Sequence, residues 1–175
     1  MDIIPLSHAL GAELRGVDIA GPVSDSEVAA IRAAWNEYHV ILFRGCRLTP
    51  AQHIAFSRRF GALNDHASTP HDRLKDYPEL LEVPNLPADG QPSQTRLTGR
   101  NWHSDYAYTG RPAAGSMLYC TRTPPVGGDT MFCNMARAHD ELSGKRQRIV
   151  AELQSVFDFN LVSGVGKRDP AKIAE

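Results

Sequence analysis

Cysteine is scarce. Cys46, Cys120 and Cys133 are the whole complement, an odd number with no Cys-x-x-Cys spacing. That argues against a disulfide framework or a structural zinc site and predicts free, mostly buried thiols in a reducing cytoplasm. Excess charge is missing too: the formal net charge is −1, so nothing favours electrostatic binding to nucleic acid or anionic lipid. No apolar run approaches the length that spans a bilayer, and no basic segment leads into an apolar one at the N-terminus. The expectation is a cytoplasmic protein with neither membrane segment nor signal peptide. Internal repeats and low-complexity tracts are absent as well. What remains is ordinary for a soluble globular protein: 175 residues, 42% hydrophobic and 22% charged, enough for one domain with a real core.

The clearest local signals are two helix starts. Ser24 with Glu27, and Thr49 with Gln52, have capping-box spacing, and Pro50 fits the first helical position. The first helix is predicted over 24–39, with Val28, Ile31, Trp35 and Tyr38 as its apolar stripe. The second is predicted over 49–60, stopped by Gly61, with Arg58 and Arg59 as a solvated helix end. Residues 1–23 read as short strands and turns, and 40–43 as a short buried strand. Further strands are expected over 78–84, 116–122, 130–133 and 156–162. Asn134 should cap a short helix to Leu142, stopped by Gly144, with another helix over 145–153. Residues 85–100 have the composition of a loop and lead into His103, which favours a lid. Residues 1–162 are expected to be part of a single domain and 163–175 a polar, mobile tail.

His103 and Asp105 stand two residues apart. In an extended strand such residues face the same way, so an imidazole nitrogen and a carboxylate oxygen can reach one metal ion. A face of two histidines and one carboxylate with open positions suits non-haem Fe(II) oxygenases. A lone His-x-Asp is commonplace on surfaces, and Gly127-Gly-Asp-Thr130 by itself reads as a hairpin turn.

Taken together, the motifs carry a resemblance. They are Leu14-Arg-Gly-Val-Asp18, Val40-Ile-Leu-Phe-Arg-Gly45, Gln52 to Gly61, Trp102-His-Ser-Asp105, Pro112-Ala113, Pro124 to Thr130 and Phe132-Cys-Asn-Met135. In order and spacing the chain resembles the taurine dioxygenase and 2,4-dichlorophenoxyacetate dioxygenase family, the Fe(II)- and 2-oxoglutarate-dependent oxygenases. The resemblance implies a mainly β fold with flanking helices, a double-stranded β-helix or jelly roll of the cupin kind, incomplete in this chain. It implies His103 and Asp105 as iron ligands and catalytic residues, and Thr130 as the hydroxyl that binds a 2-oxoglutarate carboxylate. It implies a small organic anion as substrate, with O2 as co-substrate and succinate and CO2 as products. A carboxylate at Asp105 favours hydroxylation over halogenation; desaturation stays open. His66 and Asn101 are the candidate substrate contacts.

The family's third ligand is a downstream histidine, followed by an arginine that anchors the other 2-oxoglutarate carboxylate. Only 70 residues follow Asp105, and His139 and Arg168 match neither position. The chain is therefore expected to be the N-terminal portion of a family member, inactive alone. An incomplete sheet would leave strand edges open to homo-oligomer formation. The alternative is a non-catalytic binding or interaction module that retains the fold.

Overall fold

A computed structural model describes residues 1–66, 73–83, 101–123 and 125–158. The chain divides into two compact units: Met1–Ala62 with Tyr119–Gln154, and Leu63–Leu118 with Ser155–Glu175. The expected lid, at 85–100, and the expected tail, at 163–175, lie outside the described residues.

In the first unit, β1 (Asp2–Pro5) pairs antiparallel with β2 (Ala12–Arg15), and β2 pairs in parallel with β3 (Ile41–Leu42). The parallel step needs a crossover, which α1 (Asp25–Tyr38) supplies. Ser24 caps α1 with the complete capping box: its side chain accepts the Glu27 amide, and Glu27 returns the bond to the Ser24 amide. Val28, Ile31 and Ala34 recur every third residue and are buried against Leu14 of β2 and Phe56 of α2 (Pro50–Arg58). Trp35 is only half-buried and meets the edge of the Phe60 ring, with centroids 6.4 Å apart.

β2 shows why alternation matters. Ala12 and Leu14 face the core, while Glu13 on the opposite face is buried beneath two arginines. Arg15 Nε donates to Glu13 Oε1 at 2.7 Å and Arg44 Nε to Oε2 at 3.3 Å. The hydrogen bond from Arg15 leads in holding the Glu13 carboxyl below the usual range, with burial opposing it and Arg44 adding to it. Arg59, expected as a solvated helix end, instead ties α2 to the start of α1 through the Val23 carbonyl and the Asp25 carboxylate.

After Tyr119 the first unit holds α3 (Met135–Asp140), capped by Asn134 as expected, and α4 (Gly144–Ala151). Gly144 does not stop a helix. It opens α4, because Ser143 is the cap that accepts the Arg146 amide. Asn134 Nδ2 also donates to the Ala9 carbonyl at 2.7 Å, which fixes α3 against the β1–β2 turn. In the second unit β4 (Arg73–Leu74) and β5 (Tyr77–Leu81) form a hairpin. Asp76, at φ 70°, takes the left-handed turn position that a short polar side chain tolerates.

The expected mainly β character differs from what the described residues show, where helices hold more of the chain than strands. Residues 116–122 and 130–133, and the described part of 156–162, join no ladder among the described residues. A strand is defined by a hydrogen-bonded neighbour, and pattern alone cannot supply one. Two thiols follow suit: Cys120 and Cys133 are exposed rather than buried, and Cys46 is half-buried.

Candidate functional site

His103 and Asp105 converge, but not by the expected route. They sit on no strand ladder; Asp105 opens a turn. Tyr106 adopts φ 57°, the Ala107 amide reaches back to the Ser104 carbonyl, and the Thr109 amide to the Tyr106 carbonyl. The result still brings His103 Nε2 within 3.4 Å of Asp105 Oδ1, with both side chains about half exposed. His103 Nδ1 lies 2.8 Å from the Asn101 carbonyl. A carbonyl only accepts, so Nδ1 carries the proton, and in the neutral ring Nε2 presents its lone pair towards the carboxylate. Two electron-rich atoms facing each other define a slot for a cation.

The dimensions fit a metal. Two adjacent donors on an octahedral divalent ion with bonds of about 2.1 Å stand about 3 Å apart. The outer bond from Nδ1 to a backbone carbonyl is the common support of a metal-ligating histidine. Asp105 has an outer partner as well, since Ser116 Oγ donates to its Oδ2. Three ligating side chains gathered at one point are not found among the described residues, so the site offers two protein donors there.

His66 is not a solvated loop histidine. It is partly buried, and both ring nitrogens have partners: Nε2 faces the Glu79 carbonyl at 3.1 Å, and Nδ1 the Tyr106 hydroxyl. Burial leads in pushing its pKa below the ordinary value and the nearby Arg73 adds to this, while the Glu79 carbonyl and Asp65 oppose it. Tyr106, the residue following Asp105, therefore ties His66 to the ligand segment. Asn101 is exposed and contributes its carbonyl to His103. Thr130 belongs to the first unit, exposed, two residues after Gly128; Gly127 and Gly128 have left-handed φ values of 75° and 77°. His139 is exposed on α3 beside Asp140. Sequence reasoning missed Ser116 and Tyr106. Tyr106 could have been noticed as the neighbour of Asp105, whereas nothing local marks Ser116.

A family model described as taurine catabolism dioxygenase TauD, TfdA family, matches residues 2–173. The chain belongs to the TauD/TfdA family. The alpha-ketoglutarate-dependent 2,4-dichlorophenoxyacetate dioxygenase of Cupriavidus pinatubonensis is 33% identical over 147 residues, which is 79% of this chain and 51% of that protein. A crystal structure of a taurine dioxygenase from Burkholderia xenovorans matches with a TM-score of 0.67 at 34% identity, over 86% of this chain and 51% of that one. AAD-2, crystallised with Mn(II) and N-oxalylglycine, matches with a TM-score of 0.72 at 28% identity, over 86% and 54%. This TauD/TfdA chain thus spans about half the length of the relatives it matches. No helix among the described residues is long and apolar enough to cross a membrane.

Proposed function

We propose that this TauD/TfdA chain is the N-terminal part of an Fe(II)- and 2-oxoglutarate-dependent dioxygenase that hydroxylates a small organic anion. The observation that carries the reading is the facing pair of His103 Nε2 and Asp105 Oδ1 at 3.4 Å, with Nδ1 committed to the Asn101 carbonyl. The relatives add support through their names: one pairs alpha-ketoglutarate with an aryloxy acid, and another is a taurine dioxygenase. The fold proposed for the whole is a jelly roll, with 1–162 part of one dioxygenase domain and 163–175 its polar tail.

His103 and Asp105 would hold the iron. Bound Fe(II), with 2-oxoglutarate and O2, supplies oxidation of a C–H bond coupled to decarboxylation of 2-oxoglutarate to succinate and CO2. The Thr130 hydroxyl would donate to a 2-oxoglutarate carboxylate, at the end of a turn that Gly127 and Gly128 make tight. His66 and Asn101 are proposed to meet the substrate anion. Each is one hydrogen bond from the ligand segment, His66 through Tyr106 and Asn101 through His103. The proposed setting is the cytoplasm, with a sulfonate, carboxylate or aryloxyalkanoate as substrate.

With two protein donors among the described residues, the 175 residues alone should bind Fe(II) weakly and not turn over. The test is to incubate the full-length gene product, of which this chain is proposed to be the N-terminal part, with Fe(II), 2-oxoglutarate and a panel of aryloxyalkanoates and sulfonates, and to measure succinate. Substrate-dependent succinate, abolished in His103→Ala and Asp105→Ala, is the expected result. Succinate that persists in both variants, or none with any panel member, overturns the reading and favours a binding module that keeps the fold.

A further inference from the structure

We infer that Ser116 is a positioning residue for Asp105, holding one carboxylate oxygen so that the other faces His103. The inference rests on the reading of His103 and Asp105 as iron ligands. Asp105 Oδ2 accepts the Ser116 hydroxyl at 2.5 Å, while Oδ1 stands 3.4 Å from His103 Nε2.

A carboxylate has two equivalent oxygens on a soft terminal torsion, so a lone aspartate can turn either oxygen, or both, towards a cation. A charge-assisted hydrogen bond to one of them breaks that equivalence. Oδ2 is committed to Ser116, and Oδ1 is left as the donor. Asp105 would then hold a cation through Oδ1 alone, which would leave more room for small ligands than two oxygens would.

The local chain explains how Ser116 arrives, eleven residues on. The turn at 105–108 reverses the backbone, with Tyr106 in the left-handed region. Thr109 Oγ1 lies 2.8 Å from both the Tyr106 and the Arg111 carbonyls, within donating distance of each, which braces the return. His103 and Asp105 then each carry one outer partner, Asn101 and Ser116. Such partners orient metal ligands, and losing one costs about 10-fold or more in metal affinity.

The test titrates Mn(II) into the 175-residue chain and follows paramagnetic broadening of the amide signals around His103 and Asp105, a readout that registers weak binding and needs no turnover. Ser116→Ala should weaken the apparent Mn(II) affinity about 10-fold, and Ser116→Thr, which keeps the hydroxyl, should stay within about 2-fold of wild type. Wild-type affinity in Ser116→Ala, with broadening lost in His103→Ala and Asp105→Ala, overturns the inference and leaves the metal site standing. Equal loss in the alanine and threonine variants also overturns it, since the hydroxyl would then not be the cause. Broadening that survives both ligand variants, or is absent in wild type, overturns the metal site and the inference with it.

Discussion

His66 shows how a single side chain near the site can be made sensitive to pH by its packing. Its Nε2 must donate to the Glu79 carbonyl, which leaves Nδ1 to accept the Tyr106 hydroxyl in the neutral ring. Burial, with Arg73 adding to it, pushes the folded pKa below the ordinary value of about 6.5. The sign follows from linkage. As pH falls, the unfolded chain takes up this proton before the folded one does. The stabilisation is therefore present above about pH 6.5 and is lost as pH drops through the window between that value and the lower folded one. His66→Gln cannot titrate. Its unfolding free energy should fall less between about pH 7.5 and pH 5.5 than that of wild type, the remaining histidines being common to both. Denaturant melts at the two pH values, with an NMR titration of the His66 ring, decide it. Parallel melts, or a ring midpoint at or above the ordinary value, would sink the argument.

At the level of elements, the helices are held by their first turns. The Ser24 and Thr49 boxes each satisfy two amides that would otherwise lack an intrahelical partner. Ser24→Ala removes the side-chain acceptor for the Glu27 amide and should cost about 1 kcal/mol. Ser24→Asp keeps an acceptor and should cost much less, which chemical denaturation of the pair would show; equal losses would mean that the cap is not the cause. These elements were legible because a cap and an apolar stripe lie within a few residues of one another. The ladders were not. Residues 116–122 have strand composition, yet a strand exists only where another backbone pairs with it, and that information lies elsewhere in the chain. The site divides the same way. His103 and Asp105 were readable from their spacing, although a turn rather than a strand brings them together. Ser116 and the His66–Tyr106 link depend on tertiary return and leave no short-range trace.

Across the whole molecule, burial is uneven in a way that has consequences. In the first unit the core is built from β2, α1 and α2, where Leu14, Ile31, Ala34 and Phe56 are almost wholly covered. The segment after Tyr119 belongs to the same unit and buries little. Val126 is 88% exposed, Met131 74%, Met135 70% and Leu153 66%, with Phe132 at 52%. Covering an apolar side chain is worth about 1.5–3 kcal/mol, so five of them offer on the order of 10 kcal/mol. Association itself costs about 4–15 kcal/mol. The two nearly balance, which predicts weak, concentration-dependent self-association of the isolated chain rather than a permanent dimer. Sedimentation velocity over a wide concentration range should show the mean mass rising. The double variant Met131→Lys, Phe132→Lys should shift the rise to higher concentration, because each lysine replaces apolar contact with a charge that resists burial. A wild-type chain that stays monomeric throughout, with no binding of a hydrophobic dye, would mean that these side chains find cover within the chain itself. Monomer recovered in the variant but not in wild type would instead place the sticky surface on the strand-like stretch that ends at Asn134. That is the same stretch that carries Thr130.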